Sequence, residues 1–121
     1  MTYIPHLGRY VMVQWHFKLI SWETVLKEKE FSTILEFYEA PKPWGPWTRF
    51  KIYDTGMPGW YVPIVAQKFQ KAINPDSVSA YIFATGFMNG GKPDLYKLNY
   101  MPVTFSIKPL KHKDPTYIGG R

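Results

Sequence analysis

The sequence predicts an all-β chain built from two consecutive antiparallel sheets, and three observations support this fold class. Apolar and polar residues alternate along several short segments, which is the pattern of half-buried strands. Aromatic residues make up 18% of the chain, and such side chains are enriched in strands. The 11 prolines and 9 glycines supply the tight turns that many short strands require. A chain of 121 residues is expected to form one domain with its own core.

The first half of the chain contains three strand-like segments, namely RYVMVQWHF at 9–17, FSTILEFYE at 31–39 and WTRFKIYD at 47–54. All three are rich in β-branched or aromatic residues. Alternation along the second segment separates two faces, with Phe31, Thr33, Leu35 and Phe37 on one and Ile34, Glu36 and Tyr38 on the other. The charged segment 18–30 is compatible with one or two helical turns or with a hairpin, and any helix is expected there.

The connection between the second and third segments reads YEAPKPWGPW at 38–47. Its prolines remove backbone donors and fix φ, so neither a helix nor a strand ladder continues through it. Tyr38, Trp44 and Trp47 are therefore expected to act as side chains that a stiff turn holds in place. They either pin one sheet to the next or line a binding surface.

The second half repeats this pattern with WYVPIVAQKF at 60–69, SVSAYIFATGF at 77–87 and LYKLNYMPVTFSI at 95–107. The segments TGMPG, NPDS and NGGKPD have the composition of turns and separate the predicted strands. A weak internal repeat relates the two halves through the pairs Tyr10 and Tyr61, Ile34 and Ile82, and Phe50 and Leu98.

The offset within these pairs is about fifty residues, which is the size of one β-propeller blade. Two blade-like sheets are therefore predicted, at about 1–57 and 58–107, followed by a basic C-terminal tail at 108–121. The alternative is a β-sandwich, in which the two sheets cover each other within one chain.

Composition excludes several kinds of site and partner. The chain has no cysteine, which excludes disulfides and thiolate metal sites. No apolar run approaches the roughly 20 residues of a membrane-spanning helix. The start MTYIPHLGRY lacks the pattern of a signal peptide, and the sequence alone predicts no cellular compartment.

A nucleic-acid partner, a metal and a cofactor are not expected. The net charge of +6 is compatible with nucleic-acid binding, but the densest basic cluster lies in the tail and no nucleic-acid motif is present. His16 has no second ligand at a usable spacing, so no metal site is predicted. The glycines have neither the spacing nor the neighbours of a phosphate-binding loop, so no cofactor is predicted.

A family resemblance is carried by the ordered stretches GRYVMVQWHF, STILEFYEAPKPWGPWTRF, GWYVPIVAQKF, SAYIFATGF and LYKLNYMPVTF. Together they resemble the C-terminal blades of five-bladed β-propellers of glycoside-hydrolase type, a group that includes arabinanases, β-xylosidases and uncharacterised exported relatives. The PWGPW turn is the most specific of these motifs. The resemblance implies that Trp44 and Trp47 are wedged between neighbouring sheets. It also implies export. Because two blades alone would leave sheet faces and edges exposed, the expected partners are either further copies of the chain or the remainder of a longer propeller.

The resemblance further implies a ligand-binding surface on the innermost strand of each blade, at residues 2–6 and 60–66. The predicted ligand-binding residues at or beside these strands are Tyr3, His6, Arg9, Trp60 and Tyr61. Aromatic faces stack on sugar rings, while hydroxyl, imidazole and guanidinium groups bond to their edges.

Two hypotheses about function follow from these observations. The first is a carbohydrate-related propeller portion that binds glycans or forms part of a glycoside-hydrolase-like protein. Hydrolysis requires two carboxyl groups held across one sugar, and Glu36, Glu39 and Asp54 are not at axial positions of a blade. Catalytic residues are therefore not identified, and the isolated chain is expected to be inactive. The second hypothesis is a non-enzymatic self-assembling or accessory subunit of a larger complex.

Overall fold

The computed structural model describes residues 1–18, 32–56, 59–86 and 97–107. These residues form eight β-strands in two antiparallel sheets, and they contain no helix. The prediction of an all-β chain with two antiparallel sheets is confirmed. Residues 19–30, where helical turns or a hairpin were expected, and the tail at 108–121 lie outside the described residues.

Sheet A is a simple meander of four strands, β1 (Thr2–Ile4), β2 (Arg9–Phe17), β3 (Thr33–Ala40) and β4 (Thr48–Asp54). Each strand pairs antiparallel with the next. The strands predicted at 9–17, 31–39 and 47–54 begin and end within two residues of β2, β3 and β4. A register shift between Phe37 and Tyr38 marks a bulge in the pairing of β3 with β4.

Sheet B contains the strands β5 (Tyr61–Val65), β6 (Lys71–Asn74), β7 (Ser77–Gly86) and β8 (Lys97–Ser106). Both β5 and β6 pair antiparallel with the same edge of β7, β5 beside Phe83 and β6 beside Val78. They therefore form one interrupted row, and the short strand β6 was not predicted from the sequence. The other edge of β7 pairs with β8 along its whole length. Sheet B is thus three rows wide, whereas sheet A is four.

The core lies between the two sheets, whose facing sides are called inner faces here and whose opposite sides are called outer faces. Along β7 every second residue from Val78 to Gly86 is buried, as alternation requires. Sheet A contributes four members of the core, which are Ile4, Val11, Leu35 and Phe37. Sheet B and the residue before it contribute Trp60, Val65, Val78, Ala80, Ile82, Ala84 and Phe105.

Hydrogen bonds join the sheets on the side where β1 faces β5 and β6. The hydroxyl of Thr2 donates to the carbonyl of Val65 over 2.7 Å. The side-chain amide of Gln70 donates to the carbonyl of Tyr3 over 3.2 Å. These bonds satisfy polar groups at the junction and hold the two sheets together along one side.

The opposite side of the molecule is open. All seven residues of β4 are exposed, and a groove with a volume of about 450 Å³ runs between β4 and β8. No described strand lies beyond β8 to cover the inner side of β4. The difference in width between the sheets is the physical reason for this opening.

The strands of the two halves do not interleave, because sheet A spans residues 2–54 and sheet B spans residues 61–106. Two consecutive blades and a two-sheet sandwich are both compatible with this order. In the described part of the chain, no helix has the length and hydropathy needed to cross a membrane.

Candidate functional site

Three of the residues predicted to bind a ligand lie around the turn between β1 and β2. The rings of Tyr3 and Tyr10 lie side by side on the outer face of sheet A, with centroids 4.7 Å apart and planes at 40°. The Nε2 of His6 donates to the carbonyl of Asn74 over 2.7 Å, which ties this turn to sheet B. Arg9 begins β2 and is half-buried. Tyr3, His6 and Arg9 are thus neighbours at one end of the fold.

The other two predicted residues lie at the opposite end. Trp60 is only 2% exposed and belongs to the core, so its ring presents no face to a ligand. The ring of Tyr61 packs edge-on against Trp15 at 5.3 Å. Trp15 packs against the core on the inner face of sheet A, whereas Tyr10 lies on the outer face, so the structure does not join the two groups into one surface.

Trp44 does not occupy the position expected for a wedge between sheets. Its side chain is 77% exposed, and the ammonium of Lys42 lies 5.6 Å from its ring centroid. Trp47 is half-buried, and its indole lies against Gly45, where a Cβ would approach the ring at 3.2 Å. The structural role expected for Trp44 is therefore wrong, because the turn directs its ring into solvent.

A network of charged and polar side chains occupies the outer face of sheet A, and we call it the Glu36 network. One carboxylate oxygen of Glu36 accepts from Tyr38 Oη over 2.7 Å, and the other accepts from Arg49 over 3.1 Å. His16 Nε2 lies 3.5 Å from the oxygen that binds Arg49. The network joins three adjacent strands, because the register places Glu36 beside Gln14 of β2 and Tyr38 beside Arg49 of β4.

The electrostatics of this network follow from its hydrogen bonds. The bond from Tyr38 holds the pKa of Glu36 below its ordinary value, burial opposes this less strongly, and Arg49 and then His16 add smaller lowering effects. The same bond raises the pKa of Tyr38, because the phenol would have to ionise beside a carboxylate. At neutral pH Glu36 is therefore ionised and Tyr38 is neutral.

A second carboxyl group lies on the same face. Asp54 accepts from the backbone of Gly56 over 2.9 Å and from Lys18 over 3.2 Å. The bond from the Gly56 backbone is the largest cause that lowers the pKa of Asp54, and Lys18 adds a smaller effect. The register places Asp54 diagonally across from Glu36, a relation that puts side chains about 7–8 Å apart.

This pair does not meet the chemical requirement for hydrolysing a glycoside. Inverting glycosidases hold their carboxyl groups at a comparable separation, about 6.5–9.5 Å, but one of the two must remain protonated to act as the general acid. The pKa values of Glu36 and Asp54 are both lowered. Two ionised carboxylates accept hydrogen bonds from a ligand but do not protonate a leaving group. The described residues also contain no group of three or more His, Cys, Asp or Glu side chains placed to hold a metal ion.

The outer face of sheet B has a different character. Four aromatic side chains form a cluster there, with ring centroids 6.0 to 6.5 Å apart, and they are Phe69, Tyr81, Phe83 and Tyr100. Tyr100 is 67% exposed. The rings pack mostly edge to face or tilted, which is how aromatic groups pack in apolar cores and interfaces.

No protein-family model matches the chain, and no curated protein or solved structure is similar enough to count as a match. The interpretation of the site therefore depends on its own geometry.

Sequence reasoning named Tyr3 as a candidate ligand residue on the first strand, but it did not name the charged and polar residues on the same face of sheet A as candidates. Alternation along β3 did place Glu36 and Tyr38 on one face, and the structure agrees. The contribution of Arg49 and His16 depends on the pairing of β3 with β2 and β4. That register is set by contacts across strands, and no single sequence segment determines it. A search for charged residues on the same face of neighbouring predicted strands would have been the useful signal.

Proposed function

We propose that the chain is a non-catalytic, glycan-binding β-module whose binding surface is the outer face of sheet A. The observation that carries the proposal is the combination of the Tyr3–Tyr10 pair with the Glu36 network on one accessible face. Sugar ligands require an apolar ring face for stacking and fixed polar groups for their hydroxyls. This face offers both kinds of group.

The polar groups are well suited to hydroxyl recognition because they are already held in position. The carboxylate of Glu36 is fixed by Tyr38 and Arg49, so little conformational entropy is lost when a ligand binds. Gln14 is exposed beside Glu36 and offers an amide donor and acceptor. His6 and Arg9 lie outside this surface, because the His6 ring donates to Asn74 of sheet B and the register pairs Arg9 with the core residue Ile4, on the inner side of sheet A.

The resemblance to glycoside-hydrolase-type propellers supports the same class of ligand. We propose that the chain acts within a carbohydrate-related protein, either as part of a longer propeller or as a separate binding unit. The lowered pKa values of Glu36 and Asp54 support binding without hydrolysis. No turnover of aryl glycosides is expected.

A glycan array with two matched variants tests the proposal. Tyr3→Ala removes an exposed tyrosine from sheet A, and Tyr100→Ala removes one from sheet B. We expect the parent and Tyr100→Ala to bind the same glycans, and Tyr3→Ala to lose at least about tenfold in affinity, the order of one stacking contact. An empty array would overturn the proposal, as would binding that survives Tyr3→Ala and disappears with Tyr100→Ala.

A second candidate function is self-assembly, or service as an accessory subunit. The aromatic cluster on the outer face of sheet B favours it, because burying such a cluster between copies stabilises association by about 25 cal/mol per Å². Under this function the chain is expected to dimerise or form larger assemblies at high concentration. Light scattering tests it, since Tyr100→Ala should then shift the chain toward monomer while Tyr3→Ala should not. A parent that stays monomeric at millimolar concentration would rule it out.

A further inference from the structure

The edges of the two sheets differ in how they are protected against pairing with another strand. β1 is three residues long and is followed by Pro5. β5 contains Pro63, and β8 contains Pro102. Proline lacks the backbone donor that strand pairing needs, so it protects the edge on which it lies. The remaining edge strand, β6, is short and ends at Asn74. The turn between β1 and β2 covers this end, because His6 donates to the carbonyl of Asn74.

β4 is the exception among these edges. It runs for seven residues without a proline, and every one of them is exposed. Among the described residues it pairs with β3 alone. Within the described part of the chain, its free edge therefore offers unpaired backbone donors and acceptors in the arrangement that an added strand recognises.

The groove beside β4 supplies apolar contacts for such a strand. Phe37, Phe50 and Phe105 meet there with ring centroids 6.1 to 6.4 Å apart. Phe37 and Phe105 belong to the core, whereas Phe50 is 42% exposed. The core is thus continuous with the groove, and a strand seated in it would extend the core.

The charge of the groove selects the strand that fits. Lys51 pairs with the core residue Phe37, so its side chain leaves β4 on the inner side, and Lys51 is one of the residues that line the groove. No acidic residue lies among the lining residues. A charge directed inward at a sheet edge discourages pairing with strands of unsuitable sequence, and two copies of β4 would bring two lysines together. A strand with an acidic residue opposite Lys51 would form an ion pair with its ammonium group.

We propose that β4 and the adjacent groove bind an extended, acidic segment of a partner protein by strand addition. The segment carries apolar residues at alternate positions and a carboxylate that pairs with Lys51. Main-chain hydrogen bonds to β4 supply affinity, while the groove and Lys51 supply specificity. The net charge of +6 attracts such a partner at long range. This surface is separate from the outer face of sheet A.

The probe is a synthetic peptide as long as β4, seven residues, that alternates threonine with valine and has glutamate at its central inward position. A second peptide carries lysine at that position. Binding is measured on the full chain by fluorescence anisotropy, and hydrogen exchange reports on the amides of β4. We expect the glutamate peptide to bind, the lysine peptide to bind at least about tenfold more weakly, and the β4 amides to become protected.

Charge reversal supplies the control. Lys51→Glu is expected to exchange the two preferences, so that the lysine peptide becomes the better ligand. Lys71→Glu makes the same change on β6 and should leave the preference for glutamate unchanged. The proposal is overturned if neither peptide binds the parent, if both variants behave alike, or if binding leaves the β4 amides unprotected. Protection of β4 that depends on protein concentration without peptide would show a second copy as the occupant and would also overturn it.

Discussion

Glu36 connects three strands through its carboxylate, and this one side chain decides the chemistry of the outer face of sheet A. Tyr38, Arg49 and His16 converge on it from β3, β4 and β2. Because its pKa is lower in the folded chain than in the unfolded chain, its contribution to stability is complete above the unfolded pKa. That contribution is lost as the pH falls through the folded pKa.

The bond between Glu36 and Tyr38 makes a prediction about tyrosine titration. In the parent, the pKa of Tyr38 lies above the ordinary value of about 10 because of the adjacent carboxylate. Glu36→Gln removes that charge and should lower the pKa of Tyr38 toward the ordinary value. NMR titration of labelled tyrosine, assigned with Tyr38→Phe, measures the change. Asp54→Asn removes a charge from the same face and should leave Tyr38 unaffected, and an equal effect of the two variants would contradict the network.

The tryptophans differ in burial, and their contributions to stability should differ accordingly. Trp44 is 77% exposed and Trp60 is 2% exposed. Trp44→Ala should change the free energy of unfolding by no more than about 0.5 kcal/mol, whereas Trp60→Ala should lower it by about 3–5 kcal/mol. Urea denaturation of the two variants provides the comparison. A large loss of unfolding free energy in Trp44→Ala would support the packing of Trp44 between the sheets that the sequence predicted.

At the scale of elements, the backbone at the end of β7 lies close against the backbone of the segment before β5. A Cβ on Gly86, which has φ of +138°, would lie 1.7 Å from the carbonyl oxygen of Gly59. Because the neighbouring atoms belong to the backbone of Gly59, no change of side-chain rotamer relieves this overlap. Only glycine allows β7 and β5 to pair at this end of sheet B.

Replacing this glycine is therefore expected to separate the two strands. Gly86→Ala should lower the free energy of unfolding by about 3 kcal/mol or more, through overlap and backbone strain together. Gly8 provides the matched control, because its φ is +63° but no atom lies within 4 Å of its added Cβ. Gly8→Ala should cost only about 1–2 kcal/mol. Thermal or urea unfolding that ranks the two variants the other way would show that the contact at Gly86 is not tight.

The strands themselves were predictable where alternation was strong. The segments of β2, β3, β4 and β7 were located to within two residues, since a single buried face imposes a period of two. β6 was missed because its four residues, all exposed, carry no such pattern. The burial of Trp60 and the exposure of Trp44 were not predictable, because both depend on how the sheets meet and on the direction of a turn.

At the scale of the whole molecule, two sheets of unequal width leave three different surfaces accessible. The outer face of sheet A is polar with tyrosines, the outer face of sheet B is an aromatic cluster, and the open side between β4 and β8 is a groove with one lysine. The three surfaces differ in charge and in aromatic content. The glycan ligand and the assembly partner stay predictions from the sequence, whereas the groove depends on the number of rows in each sheet and was not predicted.

We propose above that the outer face of sheet A binds glycans. Chemical-shift mapping of the labelled parent chain with a soluble oligosaccharide selected on the array tests it most directly. We expect the largest shifts at Tyr3, Tyr10 and the Glu36 network, with Tyr81 and Tyr100 unchanged. Shifts concentrated at Phe69, Tyr81 and Tyr100, with none on sheet A, would contradict it.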